Sequence, residues 1–383
     1  MAVAFGVAML ILSGGFVEDT FIQLRESTIH SQLGHIQIYK AGYFEQGTRN
    51  PNRYLIKNPD ALAKQIATIP NVSQVMARLQ FSGVVNNGHA DLPVQGEGVE
   101  PGKERELDTA VRWLAGRALR HKDTYGIVLG EGVARALHLK PGDFTTLLAS
   151  TADGGLNTLD FKVVGVFRTF SKDYDDHAVR ISLPAAQELL ATSAVHSLVL
   201  LLSDTQATAK VAAVLKARLP SGRYEMKTWF QLADFYAKTV VLYKHYFGVM
   251  RIIILLMVLL GVLNSIVLAA HERTGEFGTL LALGNRGIDL FRLIVAENGL
   301  LGLFGCVTGV LLGIALAKII SAVGIPMPPP PNMTSGYIAY IRVVPSVVLT
   351  SAAIGCVATL VAALFAARRV IRLPIVDALR QNV

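Results

Sequence analysis

Three sets of residues in this chain have the types and spacing that chemistry needs. His30 and His35 stand five positions apart and could begin a metal site, but no third ligand follows nearby. Asp175, Asp176 and His177 in "YDDHAV" combine carboxylates with an imidazole, as a metal or hydrolytic site would. Neighbours on a strand point to opposite faces, so we read that stretch as a solvated loop. The third set is "HERTGEFGTLLALGNRG", where His271, Glu272, Arg273 and Glu276 crowd into six residues directly after a long apolar run. Its chemistry is ionic docking. Elsewhere "GDFTTL" holds no nucleophile elbow, and nothing matches the G-x-x-x-x-G-K-[ST] phosphate loop. We therefore expect no catalytic residue, no metal and no cofactor in this chain.

The elements that would position the third set are membrane spans. The chain has 383 residues, 52% hydrophobic and only 17% charged, against about 25% charged in a typical soluble chain. The deficit is concentrated after residue 245. A helix needs about 20 apolar residues to cross a bilayer, and Phe247–Ala270, Gly299–Ala317 and Val343–Ala367 supply them. The opening "MAVAFGVAMLILSGGF" has no charge in 16 residues. It lacks the basic start of a signal peptide, so we read it as a first span whose cytoplasmic leader is missing from this sequence.

Lys and Arg in short loops set orientation. Arg273 and Arg286, with Arg292 at its end, place the 271–291 loop in the cytoplasm, and Arg368, Arg369, Arg372 and Arg380 place the tail there. The Pro-rich loop 323–342 carries only Arg342 and lies outside, as does the segment 17–244. The expected order is a span (1–16), a large external domain (17–244), spans at 245–270, 292–322 and 343–367, and a basic tail (368–383). The net charge of +8 comes without an aromatic-interleaved basic stripe, which argues against nucleic acid as a partner.

The external segment mixes periodicities. "HIQIYKAGYF" and "FKVVGVFRTF" predict strands; "DALAKQIATI", "LPAAQELLAT" and "TQATAKVAAVLKARL" predict helices. An α+β domain follows, in one lobe or two. Both cysteines, Cys306 and Cys356, lie in apolar runs, so the domain has no disulfide framework and no Cys-containing metal site.

On a helix, Glu272 and Glu276 would share one face at i,i+4, with Arg273 offsetting their repulsion. Phe277, Leu280, Leu281 and Leu283 would form the apolar side, and Gly284 would cap the end. A lipid-bound helix is usually rich in Lys and Arg. Two leading acids suit a protein partner with a basic rim better.

The stretch resembles the signature of the FtsX-like, MacB-type permease family. Glu272, Arg273, Glu276, Phe277, Gly278, Leu280, Ala282, Leu283 and Gly284 stand where that family's E-R-x-x-E-[IF]-G-x-L-x-A-[LI]-G block has them. Asn264 before it matches too, as does a tail through Ala367, Arg368, Pro374, Ala378, Leu379 and Arg380. "VLGEGVARALHLKPGD" resembles a pattern of the family's external domain. The resemblance implies an α-helical membrane protein with four spans in a 1+3 layout and an α+β extracytoplasmic domain after the first. It implies that residues 272–284 couple to a cytoplasmic ABC ATP-binding subunit, and that this partner, not this chain, binds ATP and Mg. Phe247, Met250 and Asn264 would face substrate or carry movement in the membrane. The expected partners are that ATPase, a second permease chain, membrane lipids and a periplasmic acceptor protein. In layout the chain is most similar to lipoprotein-releasing permeases of the inner membrane. The competing expectation is a membrane-anchored sensor of the same family that signals without transport.

Overall fold

In the computed structural model α1 covers Ala2–Thr28, α2 Asp234–Glu272, α3 Thr274–Ala282, α4 Gly287–Val323 and α5 Pro345–Ile371. All but α3 are long and apolar enough to cross a bilayer. The described residues are 1–47, 51–220, 222–328 and 336–371. Residues 329–335 of the Pro-rich loop lie outside them, as do Arg372, Pro374, Ala378, Leu379 and Arg380 of the tail. One compact unit gathers Met1–Ile22, Thr239–Met327 and the chain from Ile338 on; the other is built on Gln23–Lys238.

In the membrane unit α1 packs on α4 through glycines at successive i,i+4 positions. A Cβ at Gly309 would lie 2.7 Å from the Ala4 carbonyl oxygen and 2.9 Å from Val7 Cβ, and one at Gly305 would lie 3.0 Å from Val3 Cβ. Lipid gives no hydrophobic drive between helices, so close backbone approach through small residues supplies the contact. Val3, Val7 and Ile11 then pack with Val258, Val262, Ile266 and Ala362. Asp19 is buried and accepts hydrogen bonds from the Tyr340 N–H (2.9 Å) and Arg342 Nε (2.8 Å). Arg342 thus clasps the loop after α4 to the first helix.

The external domain is built on a ten-stranded sheet. Its strands are β1 Ile36–Lys40, β2 Val72–Asn86, β3 Asp91–Val99, β4 Arg112–Gly116, β5 Gly126–Gly130, β6 Phe144–Ser150, β7 Leu156–Arg168, β8 Ala178–Ser182, β9 Ser197–Leu202 and β10 Tyr224–Thr228. The order is β10-β1-β9-β2-β3-β8-β5-β7-β4, with β6 pairing β2 and β7. Two cores result. Ile36, Ile38, Leu198 and Leu200 pack under helices Pro59–Ala67 and Thr208–Arg218. Phe81, Ile127, Leu129, Phe161 and Ile181 form the other with Leu189 of helix Leu183–Leu189. Strand β2 serves both, giving Val75 and Ala77 to the first and Leu79, Phe81 and Val85 to the second.

Beyond α1 the chain makes a π-helical turn, Ile29–Leu33. A helix end leaves carbonyls without intrahelical partners, and here side chains supply them. Arg180 donates to Ser31 O (2.9 Å), Arg78 to Gln32 O (2.5 Å) and Gln37 to Leu33 O (2.7 Å). Both guanidinium side chains are 2% exposed. Arg78 is paired with Glu104 and lies 3.7 Å from Glu97. Arg180 meets Asp108 at 2.8 Å, Glu97 at 3.4 Å and the Tyr174 hydroxyl at 3.1 Å. Two cations thus share a buried network with three carboxyls. Burial pushes the Glu104 carboxyl up, toward its neutral form.

Two buried histidines are expected to make the stability of this domain depend on pH. His35 Nδ1 accepts the Leu202 N–H (3.1 Å), and His196 Nδ1 accepts that of Gln80 (3.1 Å). Burial pushes each down from 6.5 to about 4, with His30 adding repulsion at His35. A depressed histidine contributes stability that is present above its unfolded value and lost as pH falls through 6.5 to 4. Asp175, pushed by burial up from 3.8 to about 6, acts with the opposite sign in the overlapping window. The comparison of parent with His196→Gln is therefore the measurement. On acidification across that window the urea midpoint of the external domain is expected to fall more steeply in the parent. Parallel curves would contradict a neutral buried His196.

Candidate coupling site

Span α2 ends at Glu272, and α3 begins two residues later at Thr274. Arg273, at φ −104° and ψ 15°, interrupts the helix, and the Thr274 hydroxyl donates to His271 O (2.8 Å). This corrects the expectation that Glu272 and Glu276 share one helical face: they belong to different helices.

Helix α3 is fastened at two points. Phe277 is buried against Leu290 and Ile294 of α4 and Ala367 of α5. Arg273 lies 5.5 Å over the Phe277 ring. Its Nη1 meets both Glu297 oxygens at 2.7 and 2.9 Å, and its Nε meets Glu276 at 2.8 Å. The Glu276 carboxylate, then that of Glu297, raises the Arg273 pKa above its ordinary value. Arg273 is thus bound within the chain. Glu297, at the start of an apolar span, went unrecognised in the sequence; a lone acid at a span boundary is the signal that could have found it.

Gly278 is buried, Leu280 is half-buried, and Ala282 closes the helix. Leu283 departs from the expected apolar side: it is 84% exposed. It is the last residue before the chain turns at Gly284, whose φ of +94° is open to glycine without strain. The N–H of Gly284 donates to Leu281 O (3.1 Å) and that of Asn285 to Leu280 O (3.2 Å). The stretch leaves four residues exposed: Glu272 at the end of α2, Glu276 and Thr279 on α3, and Leu283 just after it.

The other candidates are dispersed. Phe247 is half-buried, 6.3 Å edge-on from Phe16 and 6.2 Å from Tyr243. Met250 and Asn264 are exposed on α2. His30 and His35 come together with ring centroids 5.7 Å apart, yet among the described residues no three His, Cys, Asp or Glu side chains group as a metal would need. "YDDHAV" is not a solvated loop throughout. Asp175 is buried and accepts the Thr169 N–H (3.0 Å) and hydroxyl (2.8 Å), a structural role.

The profile of the MacB-like periplasmic core domain matches residues 1–218, and that of the FtsX-like permease C-terminal domain matches residues 248–375. An uncharacterised ABC transporter permease of Methanocaldococcus jannaschii is 28% identical over 58% of this chain and 56% of its own length. The chain thus spans little more than half of that relative. The lipoprotein-releasing system transmembrane protein LolE of Haemophilus influenzae is 22% identical over 83% of this chain and 76% of its own. The crystal structure of the periplasmic region of MacB from Actinobacillus actinomycetemcomitans aligns with 54% of this chain and 94% of its own at 16% identity, with a TM-score of 0.40. Four spans with the large domain after the first make this an inner-membrane, multi-pass protein with a periplasmic domain. The chain belongs to the ABC transporter permeases that join a MacB-like periplasmic core domain to an FtsX-like permease domain.

Proposed function

We propose that this permease couples ATP hydrolysis by a separate cytoplasmic ABC subunit to movement of its periplasmic domain. The cargo class is lipoprotein for release to a periplasmic acceptor, or a lipid, peptide or drug for export. Similarity to a lipoprotein-releasing relative supports the first of these. The observation that carries the proposal is α3. It is anchored by Phe277 and Arg273, while Glu272, Glu276 and Leu283 are left outward for a basic groove with an apolar notch. A contact fixed to α4 and α5 in this way can pass displacement to the spans; a helix lying loosely on lipid cannot. A second permease chain fits the exposed apolar side chains of α2, where Ile252, Met257 and Leu260 are 60%, 70% and 64% exposed. Lipid covers what the second chain leaves. Met250 and Asn264, exposed on the same helix, are proposed to face substrate or partner, with Phe247 carrying movement through its contact with Phe16.

The test is purification of the full chain from its native membrane in mild detergent, with the bound proteins identified by mass spectrometry. An ATPase bearing a G-x-x-x-x-G-K-[ST] loop and a second permease chain are expected in stoichiometric amounts. Purification as a lone chain that retains a native fold would overturn the proposal.

A further inference from the structure

The periplasmic domain contains a cavity of about 400 Å³ beside the buried charge network, inside the size range of small-molecule sites. Its walls include Trp113, Leu119 and Val128, part of a small apolar cluster that also takes in Phe167. Four arginines line it, Arg105, Arg117, Arg120 and Arg180, with the acids Glu104 and Asp108. The charges do not balance. Asp108 is matched by Arg180 at 2.8 Å. Arg117 is taken by Asp123, through contacts of 2.5 and 2.9 Å. Glu104 is buried against Arg78, and burial favours its neutral form. Arg105 and Arg120 are exposed, and neither has a carboxylate partner among the described residues. Two guanidiniums without counterions therefore stand at the mouth of a pocket with an indole and aliphatic side chains inside.

Guanidinium is a planar fork that meets carboxylate or phosphate oxygens in pairs. An apolar wall behind it selects a ligand with a body attached to its charge. We propose that this cavity is a binding site for a single-chain anionic amphiphile. Arg105 and Arg120 receive its carboxylate or phosphate, and Trp113, Leu119 and Val128 receive its acyl or aryl body. The cavity lining also includes Arg180 and Asp108, members of the network that caps the Ser31 carbonyl. A ligand seated there touches the residues that hold the end of the first helix. The site is independent of any ATPase partner, so it stands or falls separately from the coupling function.

The test uses the full chain in phosphatidylcholine nanodiscs. Isothermal titration with octanoate and with octyl phosphate is expected to show saturable one-to-one binding. Octyltrimethylammonium and inorganic phosphate are expected to show none. In a Trp229→Phe background Trp113 is the sole indole, and its emission is expected to shift on saturation. The double variant R105Q/R120Q is expected to weaken both anions at least tenfold. Both positions are exposed, so an unchanged urea midpoint will confirm that the fold survives. Undiminished affinity in the double variant, or equal binding of the cationic probe, would overturn the site. Discs containing phosphatidylglycerol distinguish the sources of the anion. Retention of octanoate binding there assigns the site to a free single-chain amphiphile; its loss to competing phosphatidylglycerol would overturn that assignment.

Discussion

Arg180→Gln is expected to destabilise the periplasmic domain by about 3–5 kcal/mol, the cost of leaving buried charge without its partner. Arg180 is 2% exposed on its side chain. Its loss strips the counterion from Asp108 at 2.8 Å and weakens the field on Glu97 at 3.4 Å. It also uncaps Ser31 O and removes a cation stacked 5.1 Å over Phe167. Glutamine can restore one hydrogen bond and no charge. A domain is typically stable by about 5–15 kcal/mol, so this single change consumes a large share of the total. The comparison is Arg135→Gln. Arg135 also pairs with an acid, Glu131 at 2.8 Å, but its side chain is 67% exposed. Exposed pairs contribute about 1 kcal/mol or less, and the midpoint should scarcely move. Urea unfolding followed by Trp113 emission in the Trp229→Phe background measures both, since the indole lies 6.1 Å from Phe167. Equal, small effects from the two variants would show that the network does not hold the domain together.

Reversal of Glu272 and Glu276 to Lys is expected to reduce recovery of the ATPase with the purified permease at least tenfold. Like charges across a desolvated contact cost up to several kcal/mol, and each 1.4 kcal/mol is a tenfold loss of affinity. The anchoring of α3 explains why the effect should stay at the interface. Phe277 remains buried, and Arg273 keeps both contacts to Glu297 after Glu276 is lost. Added Lys on a cytoplasmic loop agrees with the orientation of the spans, so expression and insertion should be normal. Glu272→Lys alone is the cleaner arm, because Glu272 has no ion-pair partner among the described residues, whereas Glu276 shares Arg273. A helix resting on lipid would behave oppositely, since Lys strengthens attraction to anionic headgroups. Full ATPase recovery with the double variant would mean that α3 is not the docking element.

Much of the fold was legible because its signals are local. Twenty apolar residues in a row report a span wherever they occur, and β-branched alternation reported β1 and β7. The helix after α2 was visible for the same reason, through a compact block of named residues. What could not be read depended on distant partners. Arg273 looked like a compensating charge for Glu276, yet it also meets both oxygens of Glu297, on the next span. Asp175 looked solvated in "YDDHAV" but is enclosed by Thr169. The break at Arg273 was missed because i,i+4 spacing was counted across a boundary marked only by Gly275, two residues further on. The glycines at 305, 309 and 313 were in plain view, and small residues at i,i+4 in an apolar run are a packing signal in lipid.

The caps on the first helix arrive at very different times during synthesis. The Leu33 carbonyl finds Gln37 four residues later, the Gln32 carbonyl waits 46 residues for Arg78, and the Ser31 carbonyl waits 149 residues for Arg180. Closing a loop costs entropy that grows with its length, although only logarithmically. More important is the order of emergence. Until β8 has been translocated, Arg78 is, among the described residues, the one buried cation available to Glu97, Glu104 and Asp108. A nascent chain stopped before residue 180 therefore carries an inserted first span joined to a domain that cannot yet settle its own charges. Such an intermediate exposes strand edges in the periplasm for as long as export lasts. The end of the first helix, made earliest, is completed by one of the later residues of the domain to cross, and vectorial export therefore sets when it can become rigid.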